Sequence, residues 1–399
     1  MHDVSGIALV FLRLGLTSFG GPVAHLGYFR REFVVDRKWL DEAAYADIVA
    51  MCQFLPGPAS SQVAFAIGML RGGVVGAIAA SVCFLLPSAM LMIGAAYGAN
   101  RLASVMGDAW AQAAVRGLHI AAAAVVMHAI VAMARTLTPD VRRAVIAVCA
   151  CAVLLLVPIA WMQVVVIGIA MIMGLALLRD VRGAANVHGE GLSRRAGVMC
   201  LAVFVMLLVT LPIAAHVSGE PAVRLAAGLY QSGSLVFGGG HVVLPLLHEQ
   251  VVTSGLVSED AFFTGYGAAQ LVPGPLFSFA AYLGTSSAIE GWVAMAPAWL
   301  VGVVSVVMIF VPAWLLVAGA WPFWRTLGAS DAARRMLAGA SAAVVGVLLA
   351  ALVGTLLPAA VRDWRDGVLV AVAFAVLQFT KAPAVLVVLG CVLVAWAMV

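Results

Sequence analysis

The chain has 399 residues, of which 64% are hydrophobic and only 10% charged, with a mean hydropathy of +1.10. Soluble domains carry about one-quarter charged residues, so water is excluded as the main solvent. The net charge of +4 is scattered over short loops, which argues against a nucleic-acid surface and makes the basic residues topology signals.

In chain order, apolar runs long enough to cross about 30 Å of hydrocarbon, which takes roughly 20 residues, are predicted at Gly72 to Gly98, Ala109 to Ala134, Gly197 to Ile213, Ala296 to Ala320 and Ala332 to Leu357. The start, Met1-His2-Asp3-Val4, lacks a positively charged leader region, which argues against a cleaved signal peptide. All six cysteines lie in apolar segments without CxxC spacing, so no disulfide and no metal site is expected.

Four landmarks recur in the same order. Gly15 to Gly21 (GLTSFGG) returns as Gly233 to Gly239 (GSLVFGG), and Gln53 to Pro58 (QFLPGP) as Gln270 to Pro275 (QLVPGP). Phe84 to Ser88 answers Ile309 to Ala313, and Arg116 to His119 answers Ala338 to Ser341. The order points to duplication, with halves at 1–178 and 221–399 joined by a loop and a linking transmembrane helix at 179–220.

The early loop of the first half holds Arg30, Arg31, Arg37 and Lys38, whereas its counterpart, His241 to Asp260, holds no Lys or Arg. Short cytoplasmic loops carry the basic excess, so equivalent loops of opposite bias belong on opposite sides. The fold expected is an all-α polytopic membrane protein of two inverted-topology repeats, with re-entrant or broken helices at the Pro-Gly-Pro motifs. Leu9 to Gly21 and Leu225 to Gly240 are expected to be re-entrant, leaving about nine full spans against about thirteen if every apolar run crosses.

Each Pro-Gly-Pro is a helix break. The first proline disfavours helix in the residue before it, so Leu55 and Val272 should end helices. The following Gly-Pro resembles a restart, with glycine at the cap and proline at the first helical position. A break at membrane depth must face protein or a wet cavity, and the restarted helices present N-termini that favour anions. The candidate substrate-binding residues are therefore Gln53, Pro56, Gly57, Pro58, Ser60 and Ser61 in the first half, and Gln270, Pro273, Gly274, Pro275 and Ser278 in the second.

Gly20, Gly21, Gly238 and Gly239 either form re-entrant tips beside these breaks or serve helix packing through small residues. Arg13, Arg71 and Arg116 are candidates to attract an anion, with snorkelling to an interface as the alternative for the last two. Asp47 is a candidate for proton coupling or a solvated residue of an amphipathic helix. His25 and His241 flank the glycines and are coupling candidates, while His119 and His128 read as core histidines. There is no nucleotide loop, HExxH, GxSxG or dinucleotide fingerprint, so no enzyme, cofactor or metal is expected.

These motifs resemble the chromate ion transporter family. Phe11 to Glu42, Gln53 to Gln62, Ile67 to Gly73 and Phe84 to Ala89 are similar to its N-terminal signature, and Ser232 to Leu247 with Gln270 to Pro275 to its C-terminal one. The resemblance covers both halves and so implies the long, two-domain form. It implies a secondary transporter exporting chromate across the inner membrane and conferring chromate resistance. Sulfate, another tetrahedral dianion, is a competitor and an alternative substrate, and an uncoupled anion channel is the alternative mechanism. The bilayer and a second copy of the chain are the other candidate partners.

Overall fold

A computed structural model describes residues 4–105, 108–157, 162–178, 192–236, 243–324, 330–380 and 382–398, and every regular element among them is helical. The first half comprises α1 (Val4–Thr17), α2 (Gly21–Arg30) continued by a π turn (Arg31–Asp36), α3 (Glu42–Phe54), α4 (Ala59–Val105), α5 (Asp108–Leu137), α6 (Val141–Leu156) and α7 (Met162–Leu177). After α8 (Arg194–Ser218) come α9 (Pro221–Leu235), α10 (Val243–Leu247) with a π turn (His248–Val252), and α11 (Glu259–Leu271). A 3-10 turn (Leu276–Ser278) then leads into α12 (Phe279–Ile289). The chain closes with α13 (Ala298–Ala320), α14 (Asp331–Ala351) with a π turn (Leu352–Leu356), α15 (Leu357–Ala360), α16 (Trp364–Phe379) and α17 (Ala384–Ala397).

The five runs expected to cross each coincide, to within three residues at the start, with part of one of five helices long and apolar enough to do so, Ala59–Arg101, Gln112–Leu137, Arg194–Ser218, Ala298–Phe323 and Asp331–Ala360. α8 is apolar on all sides and its most hydrophobic window is 0% buried within the chain, so its outer surface belongs to lipid. α1 and α9, with 14 and 15 residues, reach only about 21–23 Å at 1.5 Å per residue, short of about 30 Å.

α4 is two limbs rather than one rod. At Gly72 (φ −140°, ψ 20°) and Gly73 (φ 60°, ψ −152°) the backbone leaves helical space and the chain folds back on itself. Gly68 lies against the backbone of Gly76 and Ala77, an approach that no larger residue permits. α12 and α13 form the equivalent hairpin in the second half.

Polar caps start many of the helices. Asp41 accepts from the Ala44 N–H (2.7 Å), Asp140 from Arg143, Ser258 from Ala261 and Ser330 from Ala333. The halves are interlocked rather than side by side: α5 packs on α16 and α17, while α14 packs on α6 and α7.

Two sets of contacts mark the ends of the bundle. At one end Arg142 donates to the Leu177 carbonyl (2.7 Å) and Arg335 to that of Leu175 (3.2 Å). At the other, Arg116 joins Asp363 and Asp366, Arg224 donates to the Ser254 carbonyl (2.7 Å), and Ser258 bonds Glu290. The second limb of α4 and then α5 run between the ends, which puts the Gly72–Gly73 turn at the end that holds Arg142.

Candidate functional site

α3 ends at Phe54 because Leu55 is held extended (φ −79°, ψ 145°) before Pro56, and α11 ends at Leu271 because Val272 is held likewise (φ −99°, ψ 137°) before Pro273. The central glycines take φ of +124° at Gly57 and +99° at Gly274, a region that side chains with a Cβ avoid. The restart differs by one residue from the sequence expectation. Pro58 and Pro275 cap the new helices instead of occupying their first turn. The Pro58 carbonyl takes the Gln62 N–H (3.0 Å), and Pro275 has ψ 136°, outside helical space. In the second half the first turn is also tighter, a 3-10 turn rather than α-helix.

The two breaks meet through the opposite halves. Gly57 N–H donates to the Val236 carbonyl (2.6 Å), and Gly274 N–H donates to the Ser18 carbonyl (2.8 Å). Ser18 and Val236 each precede a Phe-Gly-Gly, so equivalent bonds are exchanged between the halves. The packing follows the same exchange: Gly57 lies against Ala313 and Gly274 against Ser88, each the residue after the proline within a long helix.

His25 ties these pieces together. Its Nε2–H donates to the Ser18 carbonyl (3.2 Å), since a carbonyl only accepts, and this leaves Nδ1 of the neutral ring to accept from the Ser60 hydroxyl (3.3 Å). A hydrogen-bonded path therefore runs from Gly274 through Ser18 and His25 to Ser60. Gly20 (φ +97°) and Gly21 (φ +78°) turn the chain between Ser18 and α2.

Three buried donors at this crossing have no hydrogen-bond partner among the described residues: the Ser18 hydroxyl, the Ser61 hydroxyl and Nε2 of Gln270. Ser18 and Ser61 are 0% and 1% exposed. Gln62 spends its Nε2 on the Pro56 carbonyl (2.8 Å), bracing the break, and Ser278 spends its hydroxyl on the Pro275 carbonyl (2.8 Å). The first break is thus the more polar of the two, and an oxyanion would find donors there from both halves.

The other candidates lie apart. Gln53 is exposed on the last turn of α3, Asp47 is buried on the same helix, and Arg13 is exposed on α1. Arg71 ends the first limb of α4, its guanidinium 5.0 Å from the centre of the Trp39 ring. Arg116 is held by two carboxylates, Nε to Asp366 and Nη2 to Asp363, both at 2.7 Å. Asp363 is kept below the usual carboxylate range, first by the Asp366 N–H and then by Arg116. Gly238, Gly239 and His241 lie outside the described residues. His128 bonds Gln378 (3.2 Å), and His119 is buried with its ring edge-on to Phe263. Sequence reasoning passed over Ser18 and Gln62 as site residues; the signal for Ser18 was its place in the repeated GLTSFGG, where its counterpart is valine.

Fold and hydropathy define a multi-pass, all-helical membrane protein whose halves exchange contacts at paired helix breaks. The sequence pattern of the family described as Chromate transporter matches residues 6–175 and 223–396, and the chain belongs to that family. It is 29% identical over 345 residues to the chromate transport protein of Pseudomonas aeruginosa, covering 85% of this chain and 77% of that one. The chromate transport protein of Cupriavidus metallidurans is 24% identical over 400 residues, covering 98% and 92%. An uncharacterized transporter of Methanocaldococcus jannaschii is 24% identical over 370 residues, covering 90% and 85%. No solved structure matches the chain.

Proposed function

We propose that the chain is a secondary transporter that exports chromate from the cytoplasm across the inner membrane and so confers chromate resistance. Membership of the chromate transporter family supports chromate as the cargo. The observation that carries the mechanism is the crossing of the two broken helices, where Ser18, Ser61 and Gln270 hold buried donors without partners. A dianion seated there meets helix N-terminal N–H groups and hydroxyls without a buried lysine, and the field of a helix N-terminus is about half a positive charge. In this reading Pro56, Gly57, Pro58, Pro273, Gly274 and Pro275 shape the site, Ser60 and His25 brace it, and Gly20 and Gly21 form its neighbouring re-entrant tip.

The halves, 1–178 and 221–399, are inverted about an axis in the membrane plane, with 179–220 as the connector. The support is the contacts at the two ends: α3 and the Gly72–Gly73 turn belong with the basic end, whereas the starts of α9 and α11 belong with the end holding Asp260 and Glu290. With the basic end cytoplasmic, the chain passes between the ends about nine times, through the five long helices and through α6, α7, α16 and α17. These four are about as short as α1 and α9 and are counted by the ends they join rather than by length. The two breaks approach the midplane from opposite sides.

The test is transport by purified protein in proteoliposomes. Labelled chromate should move under an imposed gradient, sulfate should compete, and chromium should keep its oxidation state. Absence of movement under every gradient would overturn the reading, and reduced chromium would make the protein an enzyme.

A further inference from the structure

We infer that a cavity of about 290 Å³ between the halves, away from the helix crossing, is the binding site of a monovalent cation that drives transport. The inference rests on the transporter reading above. The cavity is lined by the ends of α6 and α14, by the start of α7, and by α10, its π turn and α11. Its polar lining is Gln163, His248, Glu249 and Thr355, set against the rings of Phe262 and Phe263.

Four observations make it a cation site. First, Glu249 supplies a carboxylate, and among the described residues the lining contains no lysine or arginine. Its counterpart in the first half, Glu32, occupies the equivalent π turn and is bonded by Arg37 at 2.6 Å. The duplicated position has therefore kept its acid and lost its base. Second, Oε1 of Gln163 and Nε2 of His248 are buried and have no hydrogen-bond partner among the described residues. An amide oxygen, a hydroxyl and a carboxylate are hard donors of the kind that hold small monovalent cations or a proton relayed through water.

Third, two π turns, His248–Val252 and Leu352–Leu356, contribute residues to this one cavity. A π turn displaces backbone carbonyls from their regular helical bonds, and such turns collect at functional sites. Fourth, the cavity lies at the end opposite the basic loops, beside the Lys- and Arg-free stretch from His241 to Asp260. A cation entering there while chromate leaves is the exchange expected of an exporter. Among the described residues, His248 and Glu249 are the titratable groups of the lining. The charged residues of α11 are Glu259 and Asp260 in its first turn, the latter 4.0 Å from His119.

The proton and Na⁺ share this chemistry, and the experiment separates them. Proteoliposomes carrying the full chain are given a tenfold pH difference without Na⁺, or a tenfold Na⁺ difference at equal pH, in each direction with the membrane potential clamped. One of the two gradients should accumulate labelled chromate, up to about tenfold for one cation exchanged per chromate, since each tenfold ratio is worth about 1.4 kcal/mol. Glu249→Gln should abolish that accumulation while chromate-for-chromate exchange at equilibrium stays within about twofold of the unaltered protein. If Glu249→Gln also loses exchange, Gln163→Leu with Thr355→Val replaces it, and the same selective loss is expected. Gradient-driven accumulation that survives these changes, or that neither cation drives in the unaltered protein, overturns the inference. Loss of chromate exchange in the unaltered protein would instead overturn the transporter reading.

Discussion

At the scale of single residues, the crossing is distinguished by donors left over after the local structure is satisfied. Ser60, Gln62 and Ser278 are used internally, whereas Ser18, Ser61 and Gln270 are not. A hydrogen bond to a charged group contributes about 1.5–3 kcal/mol, so Ser61→Ala or Gln270→Leu should weaken chromate binding by about ten- to a hundredfold, read by equilibrium binding to detergent-purified protein. Ser278→Ala should leave binding within about twofold, because its hydroxyl is already committed to Pro275. Arg116 has a different task. Its removal leaves Asp366, which is 0% exposed, with only the Arg362 N–H among the described residues, and removing one partner of a buried ion pair costs about 3–5 kcal/mol. Arg116→Met should therefore lower the unfolding temperature in detergent, and Asp366→Asn should restore part of the loss. Recovery of nothing would mean that the pair is not what holds α5 to the first turn of α16.

At the scale of elements, the helix breaks decide the architecture. Proline and glycine act locally, through φ and a missing N–H, so the ends of α3 and α11 were legible in the sequence from QFLPGP and QLVPGP alone. The long spans were legible for a related reason, since apolar length maps directly onto bilayer thickness. The exchange of bonds between the halves was not legible. Gly57 and Val236, or Arg116 and Asp366, are far apart in the chain, and a single pairing of that kind leaves no periodic mark. The capping role of Pro58 and Pro275 was missed by one residue, because the sequence pattern for a proline in the first turn and that for a proline just before it are the same. Gly57→Ala places a Cβ at φ +124°, which costs about 1–3 kcal/mol. Combined with Pro56→Ala, it should let α3 run into α4 and abolish transport while membrane insertion persists. Wild-type transport by that double variant would remove the site from the crossing.

At the scale of the whole molecule, the inversion proposed for the halves makes a sided prediction. On a background with the native cysteines replaced, Lys38→Cys should react with an impermeant thiol reagent only from the cytoplasmic side, and Asp260→Cys only from the outer side. Labelling of both from one side would contradict the inverted arrangement. The central claim is that an oxyanion sits where the two broken helices cross. Chromium carries its own anomalous scattering signal, so an anomalous difference map of chromate-bound crystals locates the ion without ambiguity. The expected result is a peak between Pro56-Gly57-Pro58 and Pro273-Gly274-Pro275, within hydrogen-bonding reach of Ser18, Ser61 and Gln270. A peak elsewhere in the protein, with that crossing empty, would contradict it.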